Sequence, residues 1–385
     1  MKFLEVFSAE AKLIFSDVAI VLTIIGGVIL YAFLYPQPYS SQSVSGLSVS
    51  FVDHDKSKIS REIAFKLNAT PQINITRYDM SERDAKEALV GGEVKAIIVI
   101  PPHFSKDLAL ELSPVVAVGA DSSYFLIYGA VLEGAMKSVL TQSVGIKVGK
   151  ILLSGTPMSG AIEAYTPYTL QTINLFNKDN SYTQYVIPAV YIIILQQTML
   201  IGLGILGGGV NERLGRKEGG HYSKAPIWMM MSSRYIIFGL IFFVHMLFYF
   251  GFSLSFFEVT HMAKIVDILN FGVAFITASV FFGIFLGSLF SSREIATPVI
   301  LFSSLPLVFS VGFIWPLEAM PMFIQNLSLL VPSTPAMQGF LRLNQMGSEF
   351  SDIAPQFTTL WIQALIYAIL GYYFTNKKRK KYVTN

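Results

Sequence analysis

The chain has 385 residues, of which 53% are hydrophobic and 14% charged, with a mean hydropathy of +0.55. Soluble globular proteins carry roughly 25% charged residues, so a water-soluble enzyme is excluded and a bilayer-embedded chain is expected. A net charge of +3 is too small to point to nucleic acid, and the absence of cysteine removes disulfides, thiol catalysis and cysteine-held metals.

The first apolar run, 18–35, reads VAIVLTIIGGVILYAFLY. A helix needs about 20 such residues to cross the hydrocarbon core. It is too long for a signal-peptide core, and PQPYSSQS follows it rather than a small-residue cleavage site. Segment 1–35 is therefore expected to end in a retained first transmembrane helix.

From 36 to 183 the composition turns water-compatible, with thirteen Lys/Arg against fourteen Asp/Glu between Pro36 and Tyr182. GLSVSFVD and INITRY alternate apolar and polar residues as half-buried strands do. SKISREIAFKL sets Ile59, Ile63 and Leu67 on one helical face. SERDAKEALVGG opens on a capping-box-like Ser81/Asp84 pair and closes on Gly91. AIIVIPP and PVVAVGAD read as further strands, a long helix is expected from about Tyr124 to Leu152, and a polar return rich in Tyr, Thr and Asn follows it. Strands alternating with helices imply an α/β domain inserted between the first and second spans.

Five more apolar runs occupy about 185–210, 235–256, 268–290, 295–315 and 357–374, placing helices 2–6 within 184–375. Between the last two, 316–341 carries apolar patches too short to cross and several prolines, as an outer re-entrant hairpin would. A basic tail occupies 376–385. With the N-terminus inside, thirteen Lys/Arg fall on the cytoplasmic side, against Lys264 and Arg342 in the opposite short loops, which sets the orientation by the positive-inside rule. The fold expected is an α-helical polytopic membrane protein of six transmembrane helices, one plus five. The inserted α/β domain is expected outside the cytoplasm, and both termini on the cytoplasmic side of the cell inner membrane.

GLGILG at 202–207 satisfies the G-x-G-x-x-G pattern of a dinucleotide cradle, which should follow a strand and open a helix. Here it sits at the inner end of an apolar run of about 26 residues. Its glycines read as close helix packing instead. Gly272, Ser279, Gly283 and Gly287, at spacings of seven, four and four, read the same way, within the chain or across a dimer.

Ionisable residues inside a bilayer are costly and usually functional, and the six expected spans hold one, His245. Alone, it reads as a hydrogen bond to a neighbouring helix. Without an acid–base partner, intramembrane hydrolysis and ion-gradient transport are both disfavoured. No G-x-x-x-x-G-K-[ST] phosphate loop is present, so any energy for transport must come from another polypeptide. No catalytic, cofactor-binding or metal residue is expected on this chain, and ATP and Mg belong to a partner. The basic tail reads as an anchor facing anionic lipid.

Taken together, one span, a large extracytoplasmic α/β domain and five further spans resemble the type-2 permease family of ABC exporters, in the subgroup associated with drug or hydrophobic-substrate efflux. The likeness covers nearly the whole chain. VSFVDHDKSKISREI resembles that family's first extracytoplasmic strand, turn and helix. YTQYVIPAVYIIIL resembles the entry of the second span. NERLGRKEGG…KAPIWMMMSSRYI resembles the cytoplasmic segment before the third span, and PLEAMPMFIQNLSLLVPSTPAMQGFLRL the outer hairpin. The resemblance implies that Glu212, Arg213, Arg216, Lys217, Pro226 and Arg234 belong to a segment coupled to ABC ATPase subunits. LGRKEGGHYSKAP departs from the family's usual acidic-basic-glycine-threonine run, and plain positive-inside anchoring explains Arg213, Arg216 and Lys217 equally well. A second permease copy or paralogue and a periplasmic adaptor are further implied partners. The competing readings are a membrane-anchored receptor or assembly factor acting through its outer domain, and an intramembrane enzyme.

Overall fold

The computed structural model describes residues 2–39, 44–110, 112–153, 155, 157–159, 175–177 and 181–383. Two compact units emerge: Ser43–Ile173, and Met1–Gln42 together with Asn174–Asn385. The expected polar return falls at 160–174 and 178–180, outside the described residues.

The first unit is α/β. Strands β1 (Leu47–Asp53), β2 (Ile73–Asp79), β3 (Ala96–Ile100) and β4 (Ala117–Ala120) lie in the order β2-β1-β3-β4. β1 is parallel to both β2 and β3, and β4 closes the edge antiparallel to β3. Helices Lys58–Asn68 and Glu82–Val90 make the two crossovers, and a helix of 29 residues, Phe125–Leu153, follows β4. Val49 and Phe51 of β1 and Ile98 and Ile100 of β3 pack with Ile63, Leu67 and Val131 in one core.

In a parallel sheet of this order, ligands bind beyond the strand ends where the winding reverses, here between β1 and β3. The chain fills that position itself. Asp53 accepts from Asp55 N (3.0 Å), Lys56 N (2.8 Å) and Ser60 Oγ (2.6 Å), and Ser57 caps the following helix. Asp55 accepts from Ser105 N (3.1 Å) and Oγ (3.2 Å). The V-D-x-D-x-S turn is thus an internal clasp. Slight burial works against the charge of Asp55, but hydrogen bonds from Ser57 and Ser105 outweigh it and hold the carboxyl below its ordinary range.

The second unit is helical. Among the described residues, six helices are long and apolar enough to cross a membrane. Before them comes an amphipathic helix the sequence reading did not anticipate, α1 (Phe3–Ser16), with Val6, Glu10 and Ile14 on its buried face. Asp17 caps the next helix, α2, which runs through Val18–Val21, a π-helical Leu22–Gly27 and Val28–Leu34. Then follow α7 (Tyr182–Gly215) and α8 (Ile227–Leu247, continued through a π segment Phe248–Ser253 and Leu254–Phe256). The last long helices are α9 (Ile265–Leu289), α10 (Arg293–Ser310) and α13 (Ala354–Val383); Lys58–Asn68, Glu82–Val90, Phe104–Ala109 and Phe125–Leu153 take the labels α3–α6 in order.

Two boundaries differ from the sequence reading. The third span starts at Ile227, not near 235, because Pro226 supplies the helix-entry φ of −59°; Arg234 therefore sits two turns inside it. The basic tail is helical to Val383, since α13 runs on without a break. The 316–341 segment holds short helices, α11 (Met322–Ser328) and α12 (Ser333–Met346), the latter longer than expected and largely buried.

α7 is the axis of this unit and almost wholly buried, whereas α10 is mostly exposed. The GLGILG glycines explain how. A Cβ on Gly202 would lie 2.5 Å from Ile24 and 3.1 Å from Phe238. One on Gly204 would meet Ile300 and Ala296 at about 3 Å, and one on Gly207 the Gly287 carbonyl at 2.6 Å. Three glycines thus admit four neighbouring helices, as small residues do in membranes. From the α9 side, Gly283 and Gly287 receive Leu203, and Gly272 receives Met246 of α8. Ser279 is buried beside them without a hydrogen-bond partner.

A polar ladder joins α2 to α8. His245 Nε2 donates to Ile24 O (2.8 Å) and Tyr249 Oη to Val28 O (2.7 Å). Ser253 and Tyr191 both reach Ala32 O, at 3.5 and 3.1 Å. Acceptors and donors both recur every fourth residue, one helical face each. The carbonyl acceptor fixes the proton on Nε2 of His245, so this residue is a helix–helix tie.

Candidate functional site

The candidate site is the end of the helical unit formed by α1, the loop from Arg216 to Pro226, the start of α8 and the end of α13. Its centre is ionic. Glu10 is fully buried, because its neighbours at i±4, Val6 and Ile14, turn that face inward. One carboxylate oxygen accepts from Arg234 Nε at 3.0 Å, and the other meets His221 Nε2 at 3.3 Å. Burial alone would raise the Glu10 pKa, but the Arg234 charge and the His221 and Arg234 hydrogen bonds outweigh it and hold the carboxyl below its usual range. The Arg234 guanidinium also lies over the Tyr222 ring, 5.6 Å from its centroid. Burial, reinforced by the Glu10 charge, pushes the Tyr222 phenol well above its ordinary value, so it remains an O–H.

Three segments distant in sequence are thereby fixed together, α1 through Glu10, the loop through His221 and Tyr222, and α8 through Arg234. Arg379 of α13 adds a fourth by donating to Ala225 O at 2.7 Å. Nearby, the carbonyls that end α9 are capped from two sides. Asn211 Nδ2 donates to Gly287, Ser288 and Phe290 O at 3.2, 3.3 and 2.8 Å, and Lys378 Nζ to Leu289 and Phe290 O at 3.0 and 2.7 Å. The tail lysine and arginine expected to face lipid are thus engaged with the chain's own backbone.

The residues singled out from sequence divide into two groups. Arg213, Arg216 and Lys217 are exposed, with Arg216 tied to Glu212 at 2.6 Å one turn back. Lys217 adopts a left-handed φ of 61° that ends α7. Pro226 opens α8, whereas Arg234 is buried and turned toward Glu10, away from the exposed loop face. Glu10, His221, Tyr222 and Arg379 were missed. For Glu10 a signal existed in the sequence, a lone carboxylate in the apolar row of an amphipathic helix. Among the described residues, no three His, Asp or Glu side chains are grouped to hold a metal.

The geometry yields an exposed, basic, polar loop surface tied by buried polar contacts to α1, α8 and α13. A family model described as ABC-2 family transporter protein matches residues 18–373. No curated protein matches the chain.

Proposed function

Because the chain belongs to the ABC-2 family of transporter proteins, we propose that it is the multi-pass permease subunit of an ATP-driven exporter that moves a hydrophobic or amphipathic substrate out of the cytoplasm or the inner membrane. ATP is hydrolysed on separate ABC ATPase subunits. These dock on the exposed face of the Arg216–Pro226 loop, with both termini on the same cytoplasmic side and the α/β unit outside. The observation that carries this reading is the buried Glu10–Arg234–His221 cluster. A push on the loop cannot be absorbed locally, since it is passed to α1 and α8 together. A second copy or paralogue pairs with this chain through α10, the span least covered by the chain's own residues; a periplasmic adaptor on the outer unit remains part of the proposal by family likeness.

The test replaces the exposed loop residues Arg216, Lys217, Glu218 and Lys224 with Gly/Ser while keeping His221 and Tyr222. Loss of ATPase co-purification, with the permease still folded and membrane-inserted, is expected. Normal ATPase association after this replacement would refute the assignment.

A further inference from the structure

The sheet of the α/β unit has two edges, and they differ in kind. At β2 the edge is blocked in three ways. Asn68 Oδ1 accepts from Ile75 N at 2.8 Å, the register slips between Val49 and Ser50, and Arg77 is ion-paired to Asp79 and Glu93. A plug, a bulge and charge are the devices that keep an exposed edge from pairing with another chain. From Val115 to Ala120, β4 and the residues leading into it carry none of these. Among the described residues no strand lies on the outer side of β4. No Asp, Glu, Lys or Arg occurs from Leu112 to Ala120, and Pro114 bounds the pairable run at Val115.

Side chains along this edge alternate. Val116, Val118 and Ala120 pack on the core, whereas Val115, Ala117 and Gly119 face outward, Val115 being 73% exposed. Gly119 stands out. Its φ lies outside the left-handed region, and a Cβ there would meet nothing within 4 Å. Neither its own backbone nor a neighbour within the chain requires glycine. Glycine weakens a strand interior and often marks a place where another backbone approaches closely.

A free sheet edge fits an extended partner, because a strand matches its row of unpaired backbone groups. This strand complements itself. Laid antiparallel on a second β4 about a two-fold axis through Ala117, Val115 falls opposite Gly119, Val116 opposite Val118, and Ala117 opposite its own copy. The outward face then sets the bulky side chain against the absent one. Asp121 falls opposite Ser113, so no like charges meet. Moving the axis to Val118 would set Val115 against Asp121 instead.

We infer that β4 pairs with β4 of a second copy of this chain, joining the two sheets edge to edge. This rests on the pairing of two copies set out above. Already held in one assembly, the two edges meet at the high effective concentration of a tethered pair, so a short ladder suffices.

The chain has no cysteine, so introduced cysteines report this contact in the full-length protein in its membrane. Directly opposed antiparallel residues lie about 4.5–5.5 Å apart at Cα, within disulfide reach. Under copper-phenanthroline oxidation Ala117→Cys is expected to give a covalent dimer. It should form at least about tenfold faster than with Thr76→Cys, an exposed position on the blocked β2 edge. Val115→Cys and Gly119→Cys should link when the two variants are co-expressed, and neither by itself. Native mass of the same samples shows separately whether the chain is paired. Paired chains in which Ala117→Cys links no faster than Thr76→Cys would overturn the β4 contact and leave the permease pair standing. Unpaired chains would overturn both. Self-linking of Val115→Cys would overturn the antiparallel register. A covalent adduct of Ala117→Cys with a different polypeptide would overturn the second copy in favour of another protein's strand.

Discussion

Removing the Glu10 carboxylate gives the sharpest quantitative expectation. Glu10 is fully buried and the Arg234 side chain is 9% exposed, so solvent screens neither. Glu10→Leu leaves a guanidinium desolvated and unpaired, a change that typically costs about 3–5 kcal/mol. For a unit of this size that corresponds to a melting-temperature loss of about 10 °C. Arg234→Met should cost a similar amount, because His221 alone must then answer the carboxylate. The double variant Glu10→Leu/Arg234→Met removes both charges together. Well-packed apolar replacements of buried pairs are often neutral, so it should recover most of the loss, with a coupling of about 2 kcal/mol or more. The assay is thermal unfolding of the reconstituted chain, as a complete double-mutant cycle. Losses that simply add would refute the buried pair as a unit, and so would a Glu10→Leu protein that melts within 1 °C of the parent (about 0.3 kcal/mol). pH gives an independent check. The folded pKa of Glu10 lies below the ordinary 4.5, so its stabilisation is complete above that value and is lost as pH falls through the lower folded one. The double variant should lack this acid-dependent contribution.

Gly207→Ala should destabilise by about 1–3 kcal/mol, because the added methyl would sit 2.6 Å from the Gly287 carbonyl. Gly209→Ala, whose methyl meets only Arg293 Cβ at 3.9 Å, should be neutral in the same melt; equal effects would remove the case for tight α7–α9 packing. Asn211→Ala uncaps the end of α9 and should cost about 1–3 kcal/mol, read out as faster amide exchange at Ser288–Phe290 specifically. Asp53→Ala breaks the clasp after β1. Hydrogen exchange should quicken in the Asp53–Ser60 turn while the helical unit keeps its protection, and unchanged exchange in that turn would count against the clasp.

Much of this architecture is legible in the sequence, for physical reasons. Apolar runs near 20 residues set the spans, and period-two alternation in GLSVSFVD and INITRY marks strands at β1 and β2. The glycines of GLGILG could be assigned to helix packing because their apolar context forbids a strand–turn–helix cradle. The site was harder to read. Arg234 stands in the loop-to-span sequence like any positive-inside residue, and only the fold brings Glu10, 224 positions away, to its side. Asp53 and Asp55 look like a site in a motif, yet both oxygens of each carboxylate are engaged by backbone and serine donors. Pairing across long sequence separation is decided by packing, which local pattern does not encode.

The rungs joining His245, Tyr249 and Ser253 to Ile24, Val28 and Ala32 impose a quantum on motion. A slide of four residues, about 6 Å along the axis, would re-seat two of the three donors on new carbonyls. Any shorter displacement strands His245 and Tyr249 in hydrocarbon, where nothing else satisfies them, whereas Ser253 keeps its bond to Tyr191. The first and third spans therefore travel as one plank or jump a whole notch; gradual shear between them is forbidden.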